Sequence, residues 1–304
     1  MELISHWIDW REAYGSKHSR QRREMDRLLK TRPMLMYLGD SWFSTPLYRN
    51  LAKQSAASVD GMGIVLGKPG GLAADLFSDK ELDRLQGRLE GSPFDVLIVS
   101  AGGNDALSER LNNVFNGWII GSQSRPKIGV DEAFQVLLDA GMFDDGQGGG
   151  ILGRYRALLQ LAQSLRPIRD QFRVVGHTYA PLRRIGVPAE LRVDNLGLVA
   201  FVKGSAGPWL WSVMQHVLHD VGAGRAFARK LLVDGFKSRV LDVLVPAFPG
   251  LFSYADFTTL DGIDNDAFWY DEIHPNEEGF ASMAPDLNNR IRDALPEGKR
   301  GAVR

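Results

Sequence analysis

The chain has 304 residues, enough to bury a large core in one or two domains. Its 36 Lys and Arg against 37 Asp and Glu leave a net charge of −1, which supplies no bulk attraction to nucleic acid or an anionic membrane. It has no cysteine, which excludes disulfides, thiolate metal sites and cysteine nucleophiles, and no apolar run reaches the roughly 18 to 20 residues that span a bilayer.

In chain order, Met1-Glu2-Leu3-Ile4-Ser5-His6-Trp7 lacks the basic and apolar regions of a secretory signal, so a cytoplasmic location is expected. Residues 3–30 are rich in charge and read as one or two surface helices. The run Arg20 to Arg23 lacks interleaved aromatics, which favours a solvated helix face over a nucleic-acid patch. The run Met34 to Leu38 stops at Gly39-Asp40-Ser41 and then takes a helical pattern over 42–55, a buried strand ending in a tight turn.

A second strand is expected over 58–66 and a helix over 72–89. The apolar, β-branched Asp95 to Ser100 is the clearest strand of the chain. Helices follow over 131–140 and 151–166, separated by the flexible glycine-rich turn 144–150. A fourth strand covers 172–176 and ends at His177. An irregular apolar stretch over 186–221, a helix over 223–244, a fifth strand over 251–256 and a helix over 276–294 complete the chain. Strands alternating with helices predict a three-layer α/β/α sandwich with a five-stranded parallel sheet, without internal repeat or linker.

Four stretches carry candidate chemistry. Ser41 sits where a strand meets a helix, placed either as a nucleophile or as a helix cap. Asp271-Glu272-Ile273-His274-Pro275 offers a base and a carboxylate to orient it in one compact loop. Ser100-Ala101-Gly102-Gly103-Asn104-Asp105 follows the strongest strand and offers the Asn104 amide as an oxyanion donor, against the plainer reading of a turn. Gly67-Lys68-Pro69-Gly70-Gly71 follows the second strand and offers a backbone amide. It fails as a phosphate loop, because Met62 stands where the first glycine belongs and Pro69 where Ser or Thr should be. His177, at a strand end, is a candidate for substrate contact or for support of a residue that makes it, whereas His216 and His219 lie three apart with no third metal ligand.

In this order, Gly39-Asp40-Ser41, the glycine loop, Gly102-Gly103-Asn104-Asp105 and Asp271-x-x-His274-Pro275 resemble the four sequence blocks of the SGNH (GDSL) hydrolase superfamily. The resemblance implies a flavodoxin-like fold and ester cleavage through a serine acyl-enzyme, with no cofactor or metal and a small ester as substrate. It makes Ser41 the nucleophile, His274 the base and Asp271 its orienting acid. The Ser41 amide, Gly70 and Asn104 become the oxyanion donors. The glycine block departs most from the pattern, with Val65 and Leu72 where such families carry Asn and Thr, which leaves Gly70 or Gly71 as the donor.

The implied hydrolase domain covers 33–295, after a helical extension over 1–32 and before a tail over 296–304, with inserts at about 107–150 and 186–221. Trp42, His177, Trp209 and Trp211 are expected near substrate. The apolar Trp118, Ile119, Ile120, Trp209, Leu210 and Trp211 of the inserts either line an acyl channel or pack the inserts onto the sheet. The alternative from another class is a non-enzymatic flavodoxin-like binder of a phosphorylated ligand, cradled by Ser41, Ser44 and Thr45. It leaves Asp271, His274 and Asn104 without a role. The four blocks are common to esterases, thioesterases, lysophospholipases and sugar deacetylases, so they leave acyl and alcohol groups open.

Overall fold

The computed structural model describes residues 1–45, 49–119, 125–189, 207–263 and 265–304. Among these, six strands form one parallel sheet: β1 (Leu3–Ile4), β2 (Met34–Gly39), β3 (Met62–Gly67), β4 (Val96–Ser100), β5 (Arg173–His177) and β6 (Phe252–Ala255), in the order β1-β3-β2-β4-β5-β6. Every residue of β2 and β4 is buried. Neither strand carries a charged side chain, and the one hydroxyl before their ends, that of Tyr37, is bonded to Ser55, so both faces must be covered, as in a sheet with helices on each side.

The sequence predicts five strands, and the sixth is β1. Its two residues pair with Gly63 and Ile64 of β3, a length too short to show any periodicity. The second strand begins at Met62 rather than at 58, because Val59 bridges to Val303 near the C-terminus instead of entering the sheet.

Setting β1 aside, the order is the 2-1-3-4-5 arrangement of flavodoxin-type sheets. Gly39 at the end of β2 pairs with Gly67 on one side and Ser100 on the other, so three carboxyl ends lie level. The chain leaves β2 towards β3 and returns on the opposite side as β4. Such a reversal opens a crevice beyond the strand ends, where ligands of open α/β sheets bind.

The helices are α1 (Trp7–Tyr14), α2 (Arg20–Leu28), α3 (Ser41–Ser44), α4 (Leu51–Ala57), α5 (Ala73–Leu76), α6 (Asp79–Gly91), α7 (Ser108–Val114), α8 (Asn116–Ile119), α9 (Val130–Asp139) and α10 (Ile151–Ser164). The later ones are α11 (Trp211–Met214), α12 (Val221–Lys230), α13 (Asp242–Ala247) and α14 (Glu277–Ala294). Helix α4 packs with α14, and α6 with α10, giving the two outer layers. The helix predicted over 223–244 is α12 running through a π-helix, Leu231–Leu241, into α13. None of the described helices is long and apolar enough to cross a membrane.

Both chain ends are fastened to the sheet. Trp10 of α1 is fully buried, stacks on Phe94 at 4.8 Å between ring centroids and donates from Nε1 to Ser92 Oγ at 3.2 Å. At the other end, Lys299 Nζ reaches both Asp95 oxygens at 2.7 and 2.8 Å, and Asp95 also accepts the Met34 amide.

Candidate active site

The site begins at Gly39. A Cβ there would stand 2.5 Å from the Ser100 carbonyl oxygen, so only glycine lets β2 end this close to β4. The next residue, Asp40, caps α3. Its Oδ1 accepts the Trp42 amide at 3.0 Å and the Ser100 hydroxyl at 2.8 Å, and its Oδ2 accepts the Tyr179 hydroxyl at 2.5 Å. Burial pushes the Asp40 carboxyl up to about 6, against these hydrogen bonds, which favour the ionised form. With Asp40 as the cap, Ser41 is released from that role.

The Ser41 hydroxyl instead lies 2.8 Å from His274 Nε2. On the far side of the ring, Nδ1 meets Asp271 Oδ2 at 2.8 Å and Oδ1 at 3.0 Å. Asp271 Oδ1 also accepts the backbone amides of Ile273 and His274, so the carboxylate folds its own loop and fixes the imidazole with one set of bonds. An Nδ1–H donated to Asp271 leaves the Nε2 lone pair facing Ser41. The Trp42 indole donates to the Ile273 carbonyl at 3.3 Å, tying the serine turn to the histidine loop.

Asn104 opens a 3-10 turn directly after β4 and donates from Nδ2 to the Gly71 carbonyl at 3.1 Å, leaving its second N–H for a ligand. The neighbouring Asp105 carboxylate accepts the Ala73 amide at 2.7 Å, so the third block holds the second in place. The Gly71 amide donates to Lys68 at 2.8 Å, which removes it as an oxyanion donor and leaves Gly70 as the candidate of its block. Gly70 is exposed, at φ +71°. A recess beside Ser41 and Asn104 is walled by Leu107, Leu182, Leu231, Leu232 and Ile273, with Asp40, Trp42, Gly103 and Tyr179 at its base.

The structure separates the four residues expected near substrate. Trp42 borders the recess, 3% exposed. His177 does not reach it: the ring is 1% exposed and stacks on Trp42 at 5.6 Å. Its Nδ1 bonds to the Thr178 carbonyl, and burial lowers its pKa to about 4. It sits on the strand end expected to face the site, but its side chain turns into the core.

Trp209 stands edge-on to His274, 5.5 Å between centroids. Trp211 lies against Gly186 and Gly224 and supports its own insert. Trp118 is likewise a packing residue, its indole bonded to the Pro126 carbonyl. Ile120 and the middle of the second insert, 190–206, lie outside the described residues. As for the phosphate cradle, the Ser44 hydroxyl is turned inward to the Asp40 carbonyl at 2.6 Å.

Glu272 and the π-helix leucines have no clear signal in the sequence. Glu272 is fully buried. Its Oε1 accepts the amides of Gly186 and Trp211, and its Oε2 that of Leu210 at 2.7 Å. A single carboxylate between Asp271 and His274 thereby anchors both described ends of the second insert and sets Trp209 beside the imidazole. Burial raises its pKa, and the amides oppose that.

No protein-family model matches this sequence, and neither does any curated protein. Among solved structures, the chain is similar to a phospholipase A1 from Streptomyces albidoflavus NA297, at 17% identity over 85% of this chain and 99% of that one, TM-score 0.47. It is similar to an extracellular lipase from Streptomyces rimosus at 14% identity over 84% and 99%, TM-score 0.45. A third likeness is to a carbohydrate esterase family 3 protein from Talaromyces cellulolyticus at 15% identity over 86% and 97%, TM-score 0.42. At such values nothing about substrate passes to this chain. The strand order is that of a flavodoxin-type sheet, and the first three of the four blocks that resemble those of the SGNH hydrolases stand at the ends of β2, β3 and β4.

Proposed function

We propose that the chain is an SGNH-type serine ester hydrolase. The observation that carries this reading is the continuous path from Ser41 Oγ through His274 to the buried Asp271, with 2.8 Å at each junction. No structural role accounts for it, because Asp40 already caps the helix and His274 is not needed to hold Ser41 in place.

In the reaction, Ser41 Oγ attacks the ester carbonyl while its proton passes to His274 Nε2, and Asp271 stabilises the resulting imidazolium. The carbonyl oxygen, now anionic, is met by the Ser41 and Gly70 amides and the free N–H of Asn104. Collapse of this intermediate breaks the bond to the alcohol oxygen, which takes the proton from His274. Water then repeats the sequence on the acyl-enzyme, with His274 as base, and returns free Ser41 and a carboxylic acid. The Trp42 bond to Ile273 keeps nucleophile and base at one distance through both halves. Turnover of p-nitrophenyl acetate tests the reading. The purified chain should hydrolyse it, and both Ser41→Ala and His274→Gln should reduce kcat by about 10⁴-fold or more. Wild-type rates in either variant would refute it.

A further inference from the structure

We infer that the acyl side of this site takes a small neutral group, acetyl or propionyl, and that Leu231 and Leu232 of the π-helix set that limit. The inference rests on the ester-hydrolase reading and adds the substrate class to it.

The recess at Ser41 marks the acyl side. It contains the nucleophile and the oxyanion candidate Asn104, whereas His274, which must protonate the departing alcohol, is not among its walls. Its volume is about 30 Å³. A buried water needs roughly 10–15 Å³ in this measure, so the recess accepts two or three heavy atoms. A hexanoyl group brings four methylenes more than acetyl, which the recess itself cannot hold. The walls are firm as well as close: Leu231, Leu232, Leu182 and Ile273 are at most 9% exposed and are backed by the core.

The two leucines are held by the helix that presents them. Phe236 of the same π-helix lies so close to Gly102 that a Cβ there would be 2.7 Å from its ring, and it packs on Tyr179 at 5.5 Å. Leu231 and Leu232 therefore cannot retreat without disturbing the turn that carries Asn104. The lining is apolar apart from Ser41, Asn104 and groups already bonded to one another, notably Asp40 and Tyr179. The buried Asp40 carboxyl disfavours an anionic acyl group such as succinyl.

The test is kcat/KM for p-nitrophenyl acetate and hexanoate, measured on the wild type, Leu231→Ala and Leu232→Ala, with melting temperatures for each. The wild type should prefer acetate by about tenfold or more. Either alanine variant should raise the hexanoate-to-acetate ratio several-fold by opening the wall. A wild type that cleaves hexanoate as well as acetate would overturn the inference while leaving the ester-hydrolase reading intact, and this arm decides even if a variant fails to fold. Folded variants with an unchanged ratio would remove the leucines from the role. Turnover of neither ester would overturn the underlying reading and this inference with it.

Discussion

At the residue scale, the arrangement depends on which side chain does which job around Ser41. Asp40 caps the helix and Asp271 holds the His274 ring, so two carboxylates that look alike in sequence have separate tasks. On the proposed mechanism, Asn104 contributes its second N–H once negative charge has developed on the substrate oxygen. Asn104→Ala should therefore lower kcat by about 10² to 10³, some 3 to 4 kcal/mol, with KM little changed. A large rise in KM at constant kcat would instead make Asn104 a ground-state contact.

His177 permits a prediction with a definite sign. Its folded pKa lies near 4, below the ordinary 6.5, so the unfolded chain takes up its proton first as pH falls. Its contribution to stability is thus intact above pH 6.5 and lost progressively towards pH 4. Asp40, raised to about 6 from an ordinary 3.8, acts oppositely: the folded state binds the proton first, so its contribution grows as pH falls from 6 to 4. In the wild type the two slopes offset. In His177→Phe the opposing slope of His177 is gone while that of Asp40 remains, so the melting temperature of the variant relative to wild type should rise as pH falls from 7 to 5. An unchanged difference would mean that His177 is not buried in its neutral form.

At the scale of elements, Glu272 is the hinge between the histidine loop and the second insert. Glu272→Ala removes the acceptor from the amides of Gly186, Leu210 and Trp211. A buried amide left without a partner costs about 1–3 kcal/mol, and most of that cost falls on the insert. Peptides covering 207–214 should exchange amide hydrogens much faster in the variant, while those of β4 stay protected. Equal loosening in both would mean that Glu272 supports the fold generally. The central strands are legible in the sequence because an uninterrupted apolar run such as Val96 to Val99 has few other places to go. Glu272 and the π-helix are not. A glutamate beside Asp271 has no pattern that announces three amides converging on it, and no apolar pattern marks off the π-helix from the helices that flank it. The tryptophans of the inserts leave the choice open for a related reason: bulk without period fits either a pocket or a packed insert, and Trp118 and Trp211 took the second course.

At the scale of the whole molecule, Ser41 and His274 lie 233 residues apart and meet because the sheet order brings the ends of β2 and β4 to one crevice, over which the late histidine loop folds. The four blocks are legible through their order along the chain rather than singly, and that order matches the one in which the strands deliver the first three. Distances, the identity of the helix cap and the walls of the recess beside Ser41 depend on packing between distant elements, which spacing does not encode.

The N-terminal segment belongs to that packing, since Trp10 fills a site against Phe94 and Ser92. Trp10→Ala should cost about 3–5 kcal/mol in unfolding free energy, read from denaturant curves, while the folded variant keeps its reaction at Ser41. A loss under 1 kcal/mol would make residues 1–32 a detachable extension. The most direct measurement of the central claim is covalent labelling with a fluorophosphonate, which reacts with a serine only when a base activates it and an oxyanion site receives the phosphoryl oxygen. Intact mass should show one adduct per chain and peptide mapping should place it on Ser41, with none formed in Ser41→Ala or His274→Gln. An adduct on another serine, or no adduct on the folded wild-type chain, would contradict the account.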